Sequence, residues 1–193
     1  VGAPQGEITF EVTHPDFDTI YATQSFPPMP EASASVAYGA TQVFNQPSDE
    51  LTLVIKDLPG QPQYYRISVA VHFRTALTGQ DTSQYYETWA ETAHPNAQML
   101  WGKSGSFIVS DEGINKDLEI KVATGINPLD FTMLHEYRIE ISALSDATYD
   151  FYKSYMAYQN SQGNPFAEPV VLYSNMNNSM GCFGLSTTKV VRK

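Results

Sequence analysis

Apolar and polar side chains alternate with a period of two through most of this chain, which predicts strands. Ile8, Phe10 and Val12 alternate with Glu7, Thr9, Glu11 and Thr13, the pattern of a half-buried strand. His14-Pro15-Asp16 predicts a turn, and residues 19–24 a second strand. Phe26-Pro27-Pro28-Met29-Pro30 cannot lie inside a ladder, because each proline lacks a donor, so it reads as a linker. Strands are then expected over 33–44, 51–56 and 64–73, punctuated by Asn45-Gln46-Pro47 and Leu58-Pro59-Gly60. Residues 106–110, 118–123, 137–143, 170–173 and 182–190 complete the strand pattern.

Two segments break the alternation. Residues 78–105 are polar and irregular and hold both tryptophans, with a short helix expected over 84–93. In the other, Ser145 stands as an N-cap and Asp146 places a negative charge at the positive end of a helix dipole. Tyr149, Tyr152 and Met156 then mark one helical face, and Gln162-Gly163-Asn164-Pro165 ends it. The prediction is a mainly β chain: an antiparallel β-sandwich with one prominent helix, about 145–160, packed against it. Residues 1–25 form a terminal hairpin, the remnant of an upstream domain, and 31–193 the main sandwich domain.

Composition narrows the class. With 193 residues the chain can bury a core without covalent help, and 12% aromatic against 17% charged residues suits a β-rich extracellular domain. A net charge of −10 disfavours nucleic acid and anionic lipid as direct partners. The one cysteine, Cys182, excludes an internal disulfide. No run approaches the roughly 20 apolar residues of a membrane helix. The chain begins at Val1 without a signal region, which reads as a processed or truncated product; a signal or lipid anchor, if the native protein carries one, lies upstream of Val1.

The residues that carry chemistry are scattered. His14, His72, His94 and His135 have no partner at metal-ligand spacing, so no metal site or other cofactor is expected. His14 and His94 precede prolines and read as loop residues; His72 reads as a strand residue. There is no Gly-x-Ser-x-Gly elbow, no phosphate-binding glycine loop, and Cys182 reads as a small buried hydrophobe. Asp49-Glu50, Asp111-Glu112 and Glu87/Glu91 define no catalytic pair by sequence. Residues 111–117 carry oxygen ligands without calcium-loop spacing and read as a hairpin connection, a surface calcium ion being the minor alternative. Tyr85, Tyr86, Trp89 and Trp101 in the irregular segment are the candidate binding surface, against the alternative that they plug one end of the sandwich.

Three motifs together resemble a family of Bacteroidetes envelope lipoproteins catalogued as domain-of-unknown-function family 4249. They are Leu58-Pro59-Gly60-Gln61-Pro62-Gln63-Tyr64-Tyr65-Arg66, residues 149–158 with Gly163-Asn164-Pro165-Phe166, and Ser174-Asn175-Met176-Asn177-Asn178-Ser179-Met180-Gly181-Cys182-Phe183-Gly184. The resemblance covers most of residues 50–190; Ser179 stands where the family more often has glycine, and Cys182 where it has an aliphatic residue. It implies an immunoglobulin-like upstream domain, outer-membrane or cell-surface location and a TonB-dependent transporter or other envelope protein as partner. It implies no enzyme activity and supplies no catalytic residues. Asp18-Thr19-Ile20 resembles an O-glycosylation acceptor of such proteins, which makes Thr19 a candidate modification site. The expected function is therefore a non-enzymatic accessory or binding protein. The alternatives are a structural or adhesive surface protein and, more distantly, a carbohydrate-active enzyme.

Overall fold

The structure, a computed structural model, describes residues 6–60, 62–75, 85–100, 102, 104–127, 133–162 and 168–193. They divide into two compact units, Val1–Met29 with Ala143–Thr187, and Pro30–Ser142 with Thr188–Lys193.

In the first unit β1 (Glu7–His14) and β2 (Phe17–Ser25) pair antiparallel, so His14 closes a strand instead of sitting in the turn. The register sets Phe10 against Ala22 and Val12 against Ile20, which puts the apolar positions on one face. That face is not half-buried as the alternation predicts: Ile8, Phe10 and Val12 are each at least 40% exposed. A two-stranded ribbon brings no second sheet of its own, and Phe183, stacked on Phe10 at 5.6 Å, covers only part of the face. The outer edge of β2 is used: Asn177 N–H donates to the Tyr21 carbonyl and Asn178 Nδ2 to that of Thr19.

The predicted helix is present as α1 (Asp146–Ser161). Ala147 and Met156 are buried, and Tyr149 and Tyr152 half-buried, as the spacing requires. Ser145 stands at the N-cap but makes no capping bond; its hydroxyl accepts the Leu185 N–H and pairs with Thr148 Oγ1. Gly163 to Pro165, read as the helix stop, lie outside the described residues. Residues 170–173 form no strand, and the last strand starts at Ser186, four residues later than expected. Side chains replace the ladder here. Asn175 accepts the Phe183 N–H at 2.9 Å and donates to its carbonyl at 2.8 Å, while Ser154 Oγ takes the Tyr173 N–H. Gly184 lies against Thr148, where a Cβ would collide with the threonine hydroxyl.

The second unit is built from β3 (Ala32–Val43), β4 (Gln46–Ile55), β5 (Tyr64–Thr75), β6 (Tyr86–Glu87), β7 (Ala90–Glu91), β8 (Ala97–Met99), β9 (Ser106–Ser110), β10 (Leu118–Thr124), β11 (Met133–Leu144) and β12 (Ser186–Arg192). One sheet runs β3-β4-β10-β7, the other β12-β11-β5-β9-β8, with β6 on β5. Where their registers are resolved the strands pair antiparallel, and the alternation is realised as two inner faces. Leu51, Leu53 and Ile55 pair with Val122, Ile120 and Leu118 in the first sheet. Tyr65, Ile67, Phe107, Val109, Tyr137, Ile139 and Ile141 supply the core of the second. This is the β-sandwich the pattern predicts, with a single helix among the described residues.

Two local expectations fail. The short helix over 84–93 is replaced by β6 and β7, because Thr88 and Ala90 find backbone partners in Val69 and Ser104. Residues 111–117 do not close a hairpin: β9 and β10 belong to different sheets, so the segment crosses between them. No helix among the described residues is long and apolar enough to cross a membrane, which leaves strand-built membrane structures unaddressed.

Candidate functional site

Of the aromatic residues expected to form a binding surface, Tyr85 and Trp89 lie against different sheets. Tyr85 lies on the six-stranded sheet, its hydroxyl donating to Glu136 at 2.7 Å, its ring beside His72 and under the Arg138 guanidinium. The Glu136 bond, first among the causes, pushes the Tyr85 phenol above its usual range. Tyr86 is 49% exposed on β6. Trp89 belongs to the other sheet: its carbonyl accepts the Gly125 N–H, and its ring lies 5.5 Å from Phe44. Trp101 lies outside the described residues.

Phe44 is the residue that pattern reading missed. It occupies the first position of the two-residue turn between β3 and β4, with φ 52, followed by Asn45 with φ 61. Such a turn favours Asn-Gly, and a bulky side chain in left-handed backbone costs on the order of 1–3 kcal/mol. The ring nevertheless stays 75% exposed, and Trp89 beside it 40% exposed. The signal available in the sequence was Phe44-Asn45 standing between two strands, a turn with an aromatic where glycine or asparagine belongs.

The outward face of the four-stranded sheet forms a groove of about 600 Å³, one wall of which, Glu91, takes the Trp89 indole N–H. It is lined by Thr41, Glu50, Glu91, His94, Glu119 and Lys121, among others. The register explains the set: Glu50, Glu119 and Lys121 are the outward alternates of Leu51, Ile120 and Val122. Lys121 Nζ lies 3.2 Å from Glu50, and the Trp89 indole N–H donates to Glu91 Oε2 at 3.3 Å. Burial holds the His94 imidazole below its usual value, so it is neutral at neutral pH. Its Nδ1 accepts the Asn96 N–H.

A buried polar cluster lies elsewhere in the same unit. Asp49, fully buried, accepts the Gly39 N–H at 3.0 Å and the Tyr137 O–H at 2.7 Å, and His135 Nε2 is 2.7 Å from the same carboxylate. Thr124 Oγ1 donates to the Asp49 carbonyl and sits 3.1 Å from the Tyr137 hydroxyl. Burial pushes the Tyr137 phenol well up and Asp49 adds to it, so the group remains a donor. Nothing in the spacing of Asp49, Thr124, His135 and Tyr137 announced this contact.

The oxygen-rich segment 111–117 spends its carboxylates on backbone. Asp111 Oδ1 accepts the Gln63 N–H and Asp117 Oδ1 that of Asp57. Among the described residues no group of three or more His, Cys, Asp or Glu is placed to hold a metal ion. Burial, opposed by the Gln63 N–H and reinforced by Asp57, raises the Asp111 carboxyl above the ordinary aspartate range. A raised acid stabilises the fold fully below its unfolded pKa and loses that contribution as pH rises through the folded one. Asp111→Asn is therefore expected to flatten the fall in stability as pH rises from 3.8 through that window; urea midpoints at several pH values check it. A stability difference between wild type and Asp111→Asn that does not shrink as pH rises would contradict it.

The remaining expected sites are placed as follows. Cys182 is half-buried, its thiol donating to the Ala147 carbonyl at 3.4 Å, and burial then Asp150 push its pKa up. It is a protonated packing residue. Thr19 is exposed on β2.

Against known proteins, the family model for the domain of unknown function DUF4249 matches residues 2–192. The chain belongs to that family. No curated protein matches this sequence. Among solved structures, AggA, the major subunit of aggregative adherence fimbriae type I from Escherichia coli, aligns at 9% identity. That alignment covers 86% of this chain and 95% of AggA with a TM-score of 0.38, too low to carry an argument about either fold or function.

Proposed function

We propose that this DUF4249 chain is a non-enzymatic accessory or binding protein of the bacterial outer membrane or cell surface, partnered with a TonB-dependent transporter. The observation that carries the binding role is the exposed Phe44–Trp89 pair, with Phe44 in left-handed backbone and Trp89 bonded to Glu91 of the groove on the four-stranded sheet. Apolar rings kept in solvent at a conformational cost serve contact with something outside the chain. The envelope setting and the transporter rest on the resemblance of residues 50–190 to Bacteroidetes lipoproteins.

Isolation of the tagged full-length protein from native membranes tests this. A β-barrel is expected to co-purify in fixed ratio. Recovery as a monomer or filament without a barrel favours the structural or adhesive alternative and overturns the transporter reading.

A further inference from the structure

The groove on the four-stranded sheet permits a narrower statement, resting on the binding role above. We infer that this face binds a neutral saccharide, with Phe44 and Trp89 as the ring platform and Glu50, Glu91, Glu119 and Lys121 as hydrogen-bonding partners.

The volume, about 600 Å³, suits a ligand of a few sugar rings. The lining mixes acceptors and donors: carboxylates on Glu50, Glu91 and Glu119, an ammonium on Lys121 and hydroxyls on Thr41 and Thr92. A polyhydroxylated ligand, in which each hydroxyl both donates and accepts, matches such a mixture better than a purely anionic or purely apolar one. Three carboxylates against one ammonium leave the groove mildly acidic, which selects against phosphorylated, sulfated or uronic ligands. The polar groups are also held in position: Lys121 fixes Glu50, and the indole N–H of Trp89 fixes Glu91. That last bond ties the exposed ring to the groove wall.

The rings supply the other half of the recognition. An aromatic face carries negative charge and attracts the weakly positive C–H groups on one side of a pyranose. Trp89 and Phe44 offer such faces 5.5 Å apart at an exposed edge. Gly125 packs against Trp89, where an added Cβ would lie 2.9 Å from that of the tryptophan, so this close approach requires a glycine.

Calorimetric titration of the full chain with neutral hexasaccharides of α-glucan, β-glucan, β-mannan and chitin type tests the inference, with a sulfated hexasaccharide and an Arg/Lys hexapeptide as counter-probes. At least one neutral probe is expected to bind with a Kd of about 1 mM or tighter. Glu91→Gln and Phe44→Gly should each weaken it about tenfold. Phe44→Gly also removes a positive-φ phenylalanine, so its thermal midpoint should hold or rise while binding falls, a divergence that a purely structural role would not produce. Absence of heat from every neutral probe up to about 10 mM overturns the inference, as does binding untouched by both substitutions. Salt-sensitive capture of the basic peptide alone overturns it in favour of a cationic partner. A β-barrel that still co-purifies with the Phe44→Gly protein, without saccharide binding by the wild type, removes this inference and leaves the transporter reading standing.

Discussion

Replacing Asp49 by alanine is expected to destabilise the sandwich by about 3–5 kcal/mol, the usual cost of stripping one partner from a buried charged cluster. The carboxylate is fully buried and gathers the Gly39 N–H, the Tyr137 hydroxyl and His135 Nε2. Alanine leaves all three without that acceptor, and Gly39, at φ 64 in the irregular stretch of β3, loses the bond that holds its backbone. The Tyr137 hydroxyl keeps its contact with Thr124 Oγ1. Asp49→Asn preserves the shape and one acceptor, so its loss should be smaller, about 1–2 kcal/mol. Urea denaturation of the two variants reads both values. A midpoint for Asp49→Ala within about 0.5 kcal/mol of wild type would show that the cluster contributes nothing to stability. Combining each variant with His135→Ala then separates the histidine's share as a coupling energy.

Gly105→Ala should cost nearly as much, about 3 kcal/mol, through the backbone instead of a side chain. A Cβ at this position would collide with the Thr88 carbonyl and come within 2.8 Å of the Val69 carbonyl. Both are committed: Val69 N–H donates to the Gly105 carbonyl at 2.8 Å, and Thr88 N–H donates to Val69 at 3.3 Å. No rotamer change relieves the overlap, so strands must separate. Thermal unfolding should show a drop of several degrees, on the order of 2–4 °C per kcal/mol for a chain of this size. The same substitution at Gly113, where a Cβ meets nothing within 4 Å, isolates the effect of positive φ from that of collision. Equal losses at the two positions would refute the collision account.

Much of this architecture is legible in the chain because period-two alternation acts locally. Leu51, Leu53 and Ile55 alternate whatever their partner strand is, and so do Tyr137, Ile139 and Ile141; each set turned inward as predicted. The helix was equally legible, since dipole charge and a three-four apolar spacing are written within 16 residues. Expectations failed where backbone groups found partners distant in sequence. Residues 170–173 and 182–185 resemble strands, but Asn175, Ser154 and Ser145 satisfy their backbone through side chains. The Thr88 and Ala90 N–H groups donate to the carbonyls of Val69 and Ser104, distant in sequence, so the local helical pattern lost.

The sequence by itself determined most of the longer strands, where the helix lies, that the class is a β-sandwich, and the motifs of the DUF4249 family. Each depends on neighbours within a few residues. The tertiary structure alone decided which chemical groups meet. It drew Asp49 to His135 across 86 positions, set Phe44 beside Trp89, and parted Tyr85 from Trp89 although they are four residues apart. Strand pairing, which no local pattern encodes, sends neighbouring residues to different sheets and brings distant ones into contact, and a site made from several strands exists only once that pairing is set.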